Sequence, residues 1–121
     1  MQYLVQLRLS SSARPRSQVD GINLIEKFIF PTLKQCKKLQ EEKKILAGGT
    51  ISGAISLALI MNAESAQELD KLILSLPIWP LMETQVTPLS TFDARMHSLL
   101  PRIEELRAQV REIESAPGGS R

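Results

Sequence analysis

Residues 2–9 alternate. Tyr3, Val5, Leu7 and Leu9 stand between Gln2, Leu4, Gln6 and Arg8, the period-two pattern of a strand with one face more buried than the other. Ser10–Ser12, Arg14, Pro15 and Arg16 make a polar loop. Ser17, followed three residues on by Asp20, has the form of a capping box and predicts a helix running to about Lys44. Its apolar stripe passes through Ile22, Ile25, Phe28, Ile29, Leu33, Cys36 and Leu39. Pro31 falls inside this stripe and removes the hydrogen bond to the Lys27 carbonyl, so a kink or short break costing about 3 kcal/mol is expected. A break of this kind either opens a cleft beneath it or merely bends the helix. Gly48, Gly49 and Gly53 then punctuate a segment that begins apolar at Ile45 and Leu46, which predicts a hairpin.

From Ala54 to Met61 the chain is almost wholly apolar, the pattern of a strand buried on both faces. One helix layer covers one face of a sheet, so the other face is expected to pack on a second sheet, most simply that of another copy of the chain. Asn62 or Glu64, or Ser65 with Glu68 in a neighbouring register, caps a second helix that carries Leu69, Leu72, Ile73 and Leu76 on one side. Pro77 and Pro80 each fix φ and remove a donor, so this helix must stop near Leu76 and the chain is expected to run extended through Trp79. Met82–Leu89 supplies a last strand, which Pro88 confines to an edge or a sheet terminus. Strand, helix, strand, strand, helix, strand is the split β-α-β order of a ferredoxin-like α+β domain over residues 1–90.

The stretch Leu76, Pro77, Ile78, Trp79, Pro80 and Met82, with Val86 and Leu89 at apolar strand positions, resembles the muconolactone isomerase family. Members of that family end their second helix in Leu-Pro, an apolar residue, an aromatic residue, Pro, any residue and Met before entering the last strand. The likeness runs without gaps from about Leu39 to Leu89 and is weaker over residues 1–38. It implies a dimeric α/β barrel built from two facing sheets, and a cofactor-free isomerase that moves a proton across a small lactone or enolisable acid. Such chemistry demands an acid/base group in a pocket shielded from water. The isomerases place Trp, Arg and His side chains along the segment matching Ile45–Ile55. Here it reads Ile-Leu-Ala-Gly-Gly-Thr-Ile-Ser-Gly-Ala-Ile, with no titratable side chain, so no catalytic residue carries over.

Beyond Ser90, Phe92, Met96, Leu99, Ile103, Leu106, Val110 and Ile113 follow at alternating spacings of four and three, a heptad seam over residues 91–115. Pro101 lies on the outer side of the seam, where it breaks or bends the helix and leaves Arg102–Glu114 as the secure part. A parallel pair would set Arg102 against the mate's Arg107, which favours an antiparallel pair or packing across a neighbouring subunit. Residues 116–121, rich in Gly with a Pro, are expected to be disordered.

Composition narrows the rest. A 121-residue chain with 43% hydrophobic residues suits one modest core plus an appendage, and its net charge is +2. Lys34, Lys37, Lys38, Lys43 and Lys44 outnumber Glu41 and Glu42 around them, yet no aromatic residues interleave to stack on bases. They read as a solvated helix face, with no nucleic-acid partner expected. Cys36 is the only cysteine, spaced from Leu33 and Leu39 as a packing residue, and His97 the only histidine; no metal cluster or cofactor is expected. Gln2, Gln6 and Arg8 interrupt any signal-peptide core and the apolar strand is too short to cross a membrane, so a cytoplasmic protein with itself as partner is expected. The Gly-Gly-Thr run lacks the flanking strand and helix of a phosphate cradle.

Candidate chemistry is sparse. Glu26, with Lys27 beside it, and Lys34 on the far side of Pro31 are the catalytic candidates. Tyr3 and Arg8 on the first strand, Trp79 at the helix-to-strand junction and Glu83 on the last strand are the ligand-binding candidates. Two readings follow. An enzyme needs a water-excluding pocket holding at least one carboxylate or lysine with a shifted pKa. A non-catalytic module that binds a small molecule or assembles through its barrel and seam helix has an apolar or filled cleft.

Overall fold

The computed structural model describes residues 1–115. Strands β1 (Gln2–Leu9), β2 (Ile45–Thr50), β3 (Ser56–Asn62) and β4 (Met82–Leu89) form one antiparallel sheet in the order β2-β3-β1-β4. Helices α1 (Gln18–Leu24) and α2 (Phe30–Glu41) precede β2, α3 (Ala66–Leu74) precedes β4, and α4 (Phe92–Ser115) follows. The chain divides into two compact units, residues 1–89 and a second beginning at Ser90.

Alternation in β1 sets the core. Tyr3, Val5, Leu7 and Leu9 are buried on the helix-facing side, in register with Leu57, Leu59 and Met61 of β3. Leu39 of α2 and Leu69 and Ile73 of α3 close over them, together with Ile45 and Leu76. Leu9, Leu24 and Ile78 form a second cluster at the other end. The opposite face of the sheet carries Leu4, Ala58 and Ile60, all half-buried, beside exposed Gln6 and Arg8. Within one copy of the chain β3 is thus covered by helices on one face and half-buried on the other, the face for which a second sheet was expected.

Both helix starts are capped as their sequences predict. The Ser17 hydroxyl accepts from the Asp20 N–H, and that of Ser65 from the Glu68 N–H, each at 3.1 Å. The first helix ends at Glu41 instead of near Lys44, since Lys43 takes a left-handed φ of 61° that turns the chain into β2. Pro31 does not break the chain out of helix. A π-helical turn over Ile25–Ile29 joins α1 to α2, and the Phe30 N–H donates to the Ile25 carbonyl five residues back, so the chain winds past the missing donor without interruption.

Residues 76–81 also differ from expectation. Instead of running extended through Trp79, they form tight turns in which the Trp79 N–H donates to the Leu76 carbonyl and the Leu81 N–H to that of Ile78, ending in a 3₁₀ turn over Trp79–Leu81. The Ile78 N–H, left free by these turns, reaches the Thr32 hydroxyl at 3.0 Å. The hairpin forms, but Gly48 and Gly49 lie within β2 and only Gly53 in the turn. Gly48 has a φ of 124°, and a Cβ there would stand 2.2 Å from the Ala58 carbonyl oxygen, so the close strand pairing requires glycine.

In the second unit, α4 runs through Pro101 unbroken instead of starting securely at Arg102, since proline on the outer face removes one hydrogen bond from a helix that continues on both sides. None of its residues is buried. The expected disorder of residues 116–121 lies outside the described residues.

Candidate functional site

Ile29, the last residue of the π turn before Pro31, borders a cleft at one end of the sheet. Ile29 from that turn and Leu33 from α2 make one wall, with Thr32 between them. Ile55 and Leu57 face them from the hairpin and β3, and Ile78 and Met82 close the end. The space is about 120 Å³, close to the roughly 150 Å³ of a cavity that takes up benzene. Its polar groups are the hydroxyls of Thr32, Thr50 and Ser56, and Ala54 completes the lining; none of these side chains is titratable. Thr32 is buried, and its accepted bond from Ile78 pins the start of α2 to the turn after α3, 46 residues away in sequence. Among the described residues no buried side-chain nitrogen or oxygen lacks a partner, so no orphaned group points into the cleft.

Titratable groups collect on the other face of the sheet. Arg8 and Glu83 lie directly opposite in the β1–β4 register, and the Arg8 guanidinium donates to the Glu83 carboxylate at 3.2 Å. They line a hollow of about 340 Å³ with Gln6, Gln85, Ser56 and Ile51. Both side chains are mostly exposed, at 76% and 60%, so water screens the pair. Arg8 also borders a larger space of about 560 Å³ with Arg14 and the hairpin residues Gly53–Ile55. Arg14 is a residue that sequence reasoning passed over; its only signal was its place in the polar Arg-Pro-Arg loop.

Of the candidates, then, the structure brings together Arg8 and Glu83 alone. Glu26 and Lys34 are exposed on the π turn and α2 and line none of these spaces. Tyr3 is buried on the helix side of the sheet, its hydroxyl donating to the Met1 sulfur at 3.3 Å. Trp79 is 36% exposed on the 3₁₀ turn and faces neither the cleft nor the core. Cys36 borders a further hollow under α2 beside Gly48 and Gly49; burial pushes its thiol pKa up, which leaves it a packing residue and a poor nucleophile. Lys44 and Glu68, bonded at 2.7 Å, are the remaining perturbed pair: the hydrogen bond raises the Lys44 pKa, and with the Glu64 N–H it lowers that of Glu68. They tie the start of α3 to the entry of β2 and lie outside the cleft. Among the described residues no group of His, Cys, Asp and Glu is placed to hold a metal ion, and no helix is long and apolar enough to cross a membrane.

A four-stranded antiparallel sheet in this order, with α1, α2 and α3 on one face, defines a ferredoxin-like α+β protein. Residues 1–95 match the family model of muconolactone delta-isomerase, and the chain belongs to that family. A solved muconolactone isomerase structure superposes with a TM-score of 0.57 at 18% identity, covering 75% of this chain and 90% of that one. A 5-chloro-2-hydroxyhydroquinone dehydrochlorinase from Burkholderia phenoliruptrix AC1100, solved with 2,5-dihydroxybenzoquinone, gives 0.54 at 24% identity, covering 77% and 97%. At these identities the likeness is one of fold. No curated protein matches the chain.

Proposed function

We propose that this family member binds a small, mostly apolar organic ligand in the cleft beneath the π turn, and that no side chain of that cleft moves a proton. The observation that carries the reading is the lining: six large apolar residues, three hydroxyls and Ala54, with no titratable group. A general acid or base must lie within about 2.6–3.2 Å of the proton it moves and have a pKa near the working pH, and Ser and Thr hydroxyls meet the first condition without the second. Hydroxyls beside apolar walls do suit a ring that carries a carbonyl or lactone oxygen, which they orient by hydrogen bonds. Domain 1–90 is the binding part on this reading. The half-buried Leu4, Ala58 and Ile60 on the face without helices support a homodimer in which two such sheets meet as a barrel. The single cysteine agrees with a cytoplasmic setting.

Native mass spectrometry of the purified protein tests the binding reading, with a co-purified small molecule as the expected result. Ala54→Leu, at an exposed position on the rim, fills the entrance and should abolish that adduct while leaving the fold intact. An adduct that persists in the variant refutes the assignment of the cleft.

A second reading rests on the Arg8–Glu83 pair, the one place where candidate residues meet in a hollow. There the guanidinium would hold an anionic oxygen while Glu83 would take a proton from one carbon and return it to another, an isomerase step on a small organic acid or lactone. Deuterium incorporation into muconolactone, followed by proton NMR, separates the two. The binding reading expects no exchange above buffer, whereas exchange that disappears in Glu83→Gln establishes the second.

A further inference from the structure

We propose that α4 pairs with α4 of a second copy of this chain, antiparallel and in one register, with the two Leu100 side chains meeting at the centre. The stripe from Phe92 to Ile113 is exposed along its whole length, each member by 43% or more, and Leu100 beside it is 59% exposed. Such a stripe needs cover, and a 3.5-residue repeat selects another helix as the cover. Taking Met96, Ile103 and Val110 as a positions and Phe92, Leu99, Leu106 and Ile113 as d positions, the flanking e positions are Asp93, Leu100, Arg107 and Glu114. The g positions are Arg95, Arg102 and Gln109.

These flanks choose between the arrangements. A parallel pair sets Arg102 against the partner's Arg107 twice over, with nothing attractive in return. An antiparallel pair with Ile103 against the partner's Leu106 brings Asp93 against the partner's Glu114, again twice, and both contacts repel. Sliding that pair by one heptad puts Leu99 against the partner's Ile103 and Met96 against the partner's Leu106. In this register Asp93 meets the partner's Arg107 at both ends, opposite charges in each case, and Leu100 covers the partner's Leu100. The one like-charge contact is Arg102 with the partner's Arg102, and each of these guanidiniums already donates to Glu105 of its own helix at 3.2 Å. The exposed Leu100, an apolar residue outside the a and d seam, is thereby accounted for, and Pro101 at the midpoint points outward.

Double electron–electron resonance on the full chain tests register and direction together. Cys36→Ser removes the native thiol, and spin labels are placed singly at Ala94→Cys and Ala108→Cys, both outward f positions. In the proposed register each label is displaced from its symmetry mate by 14 residues, about 21 Å along the axis at about 1.5 Å per residue, so the two samples should give equal distances. The other antiparallel register displaces the labels by roughly 31 and 10 Å, and a parallel pair by about zero in both. Unequal distances, coincident labels or the absence of a defined distance would each overturn the proposal. Asp93→Arg should weaken the pairing roughly tenfold by reversing two contacts, and Asp93→Arg with Arg107→Asp should restore the distance peak. Failure of the double variant to restore a peak lost in the single one also overturns it, because damage to one helix terminus is not repaired by the second change.

Discussion

Replacing Thr32 with Val is the sharpest test of how the cleft is held open. Valine has nearly the volume of threonine, so the buried site gains no cavity, but the acceptor of the Ile78 N–H is lost. That N–H has no other partner and Ile78 is itself buried, 2% exposed, so water cannot replace the bond. Leaving a buried donor unsatisfied costs about 1–3 kcal/mol. For a fold unit of residues 1–89, where 1 kcal/mol shifts the melting temperature by about 4–8 °C, the fall should be roughly 4–24 °C. Thr32→Ser is the control: it keeps the oxygen and drops one methyl, at about 0.5–1.5 kcal/mol. Urea unfolding followed by far-ultraviolet circular dichroism, at matched protein concentration and with the slope m unchanged, reads both. A Val variant as stable as the parent would refute the reasoning, since the tie between α2 and the turn at Ile78 would then not rest on the hydroxyl.

Three further outcomes follow from the geometry. Gly48→Ala should unfold the domain or lower its melting temperature by more than any other single change here, because its Cβ would meet the Ala58 carbonyl at 2.2 Å and the residue sits at φ 124°; soluble yield and a thermal scan check this. Glu83→Gln should change stability by less than about 1 kcal/mol in urea titration, as both partners of its ion pair are mostly exposed. The Lys44–Glu68 pair gives a pH signature. The Glu68 pKa is lowered, so its stabilisation is present above the ordinary value of 4.5 and is lost as pH falls through the lower folded value. The Lys44 pKa is raised, so that contribution is complete below 10.5 and is lost as pH rises through the higher folded value. The difference in urea midpoint between the parent and Glu68→Gln should accordingly hold between these limits and shrink on the acid side; a difference that grows on acidification would contradict the assignment.

How much of this was legible in the sequence depends on how local the cause is. β1 and β4 were readable because alternation and proline act within the strand itself, and the helix starts because Ser17 and Ser65 bond three residues ahead. The turns at residues 76–81 were not, since what satisfies the Ile78 N–H there is a hydroxyl 46 residues away. Gly48 and Gly49 have the composition of a turn yet lie in β2, because the approach of Ala58 is a property of the paired strand and not of the glycines. The Arg8–Glu83 meeting likewise exists only once the β1–β4 register is known.

The cleft did leave one trace in the sequence, and that trace is a proline and not a charged residue. Pro31 removes a donor from the middle of an amphipathic helix, and the chain answers with the π turn over Ile25–Ile29. The lining follows from that turn: Ile29 and Leu33 face inward on either side of Thr32, whose hydroxyl bonds Ile78 across the end of the space. Glu26 and Lys34, chosen because they flank the same proline, face outward and stay exposed. Trp79 is separated from the cleft for a related reason, as the bond that draws Ile78 inward to Thr32 leaves its neighbour on the outer side of the 3₁₀ turn. The proline in the helix pattern thus marks the place of the cleft, which is lined by hydroxyl and aliphatic groups that no charge or motif announces.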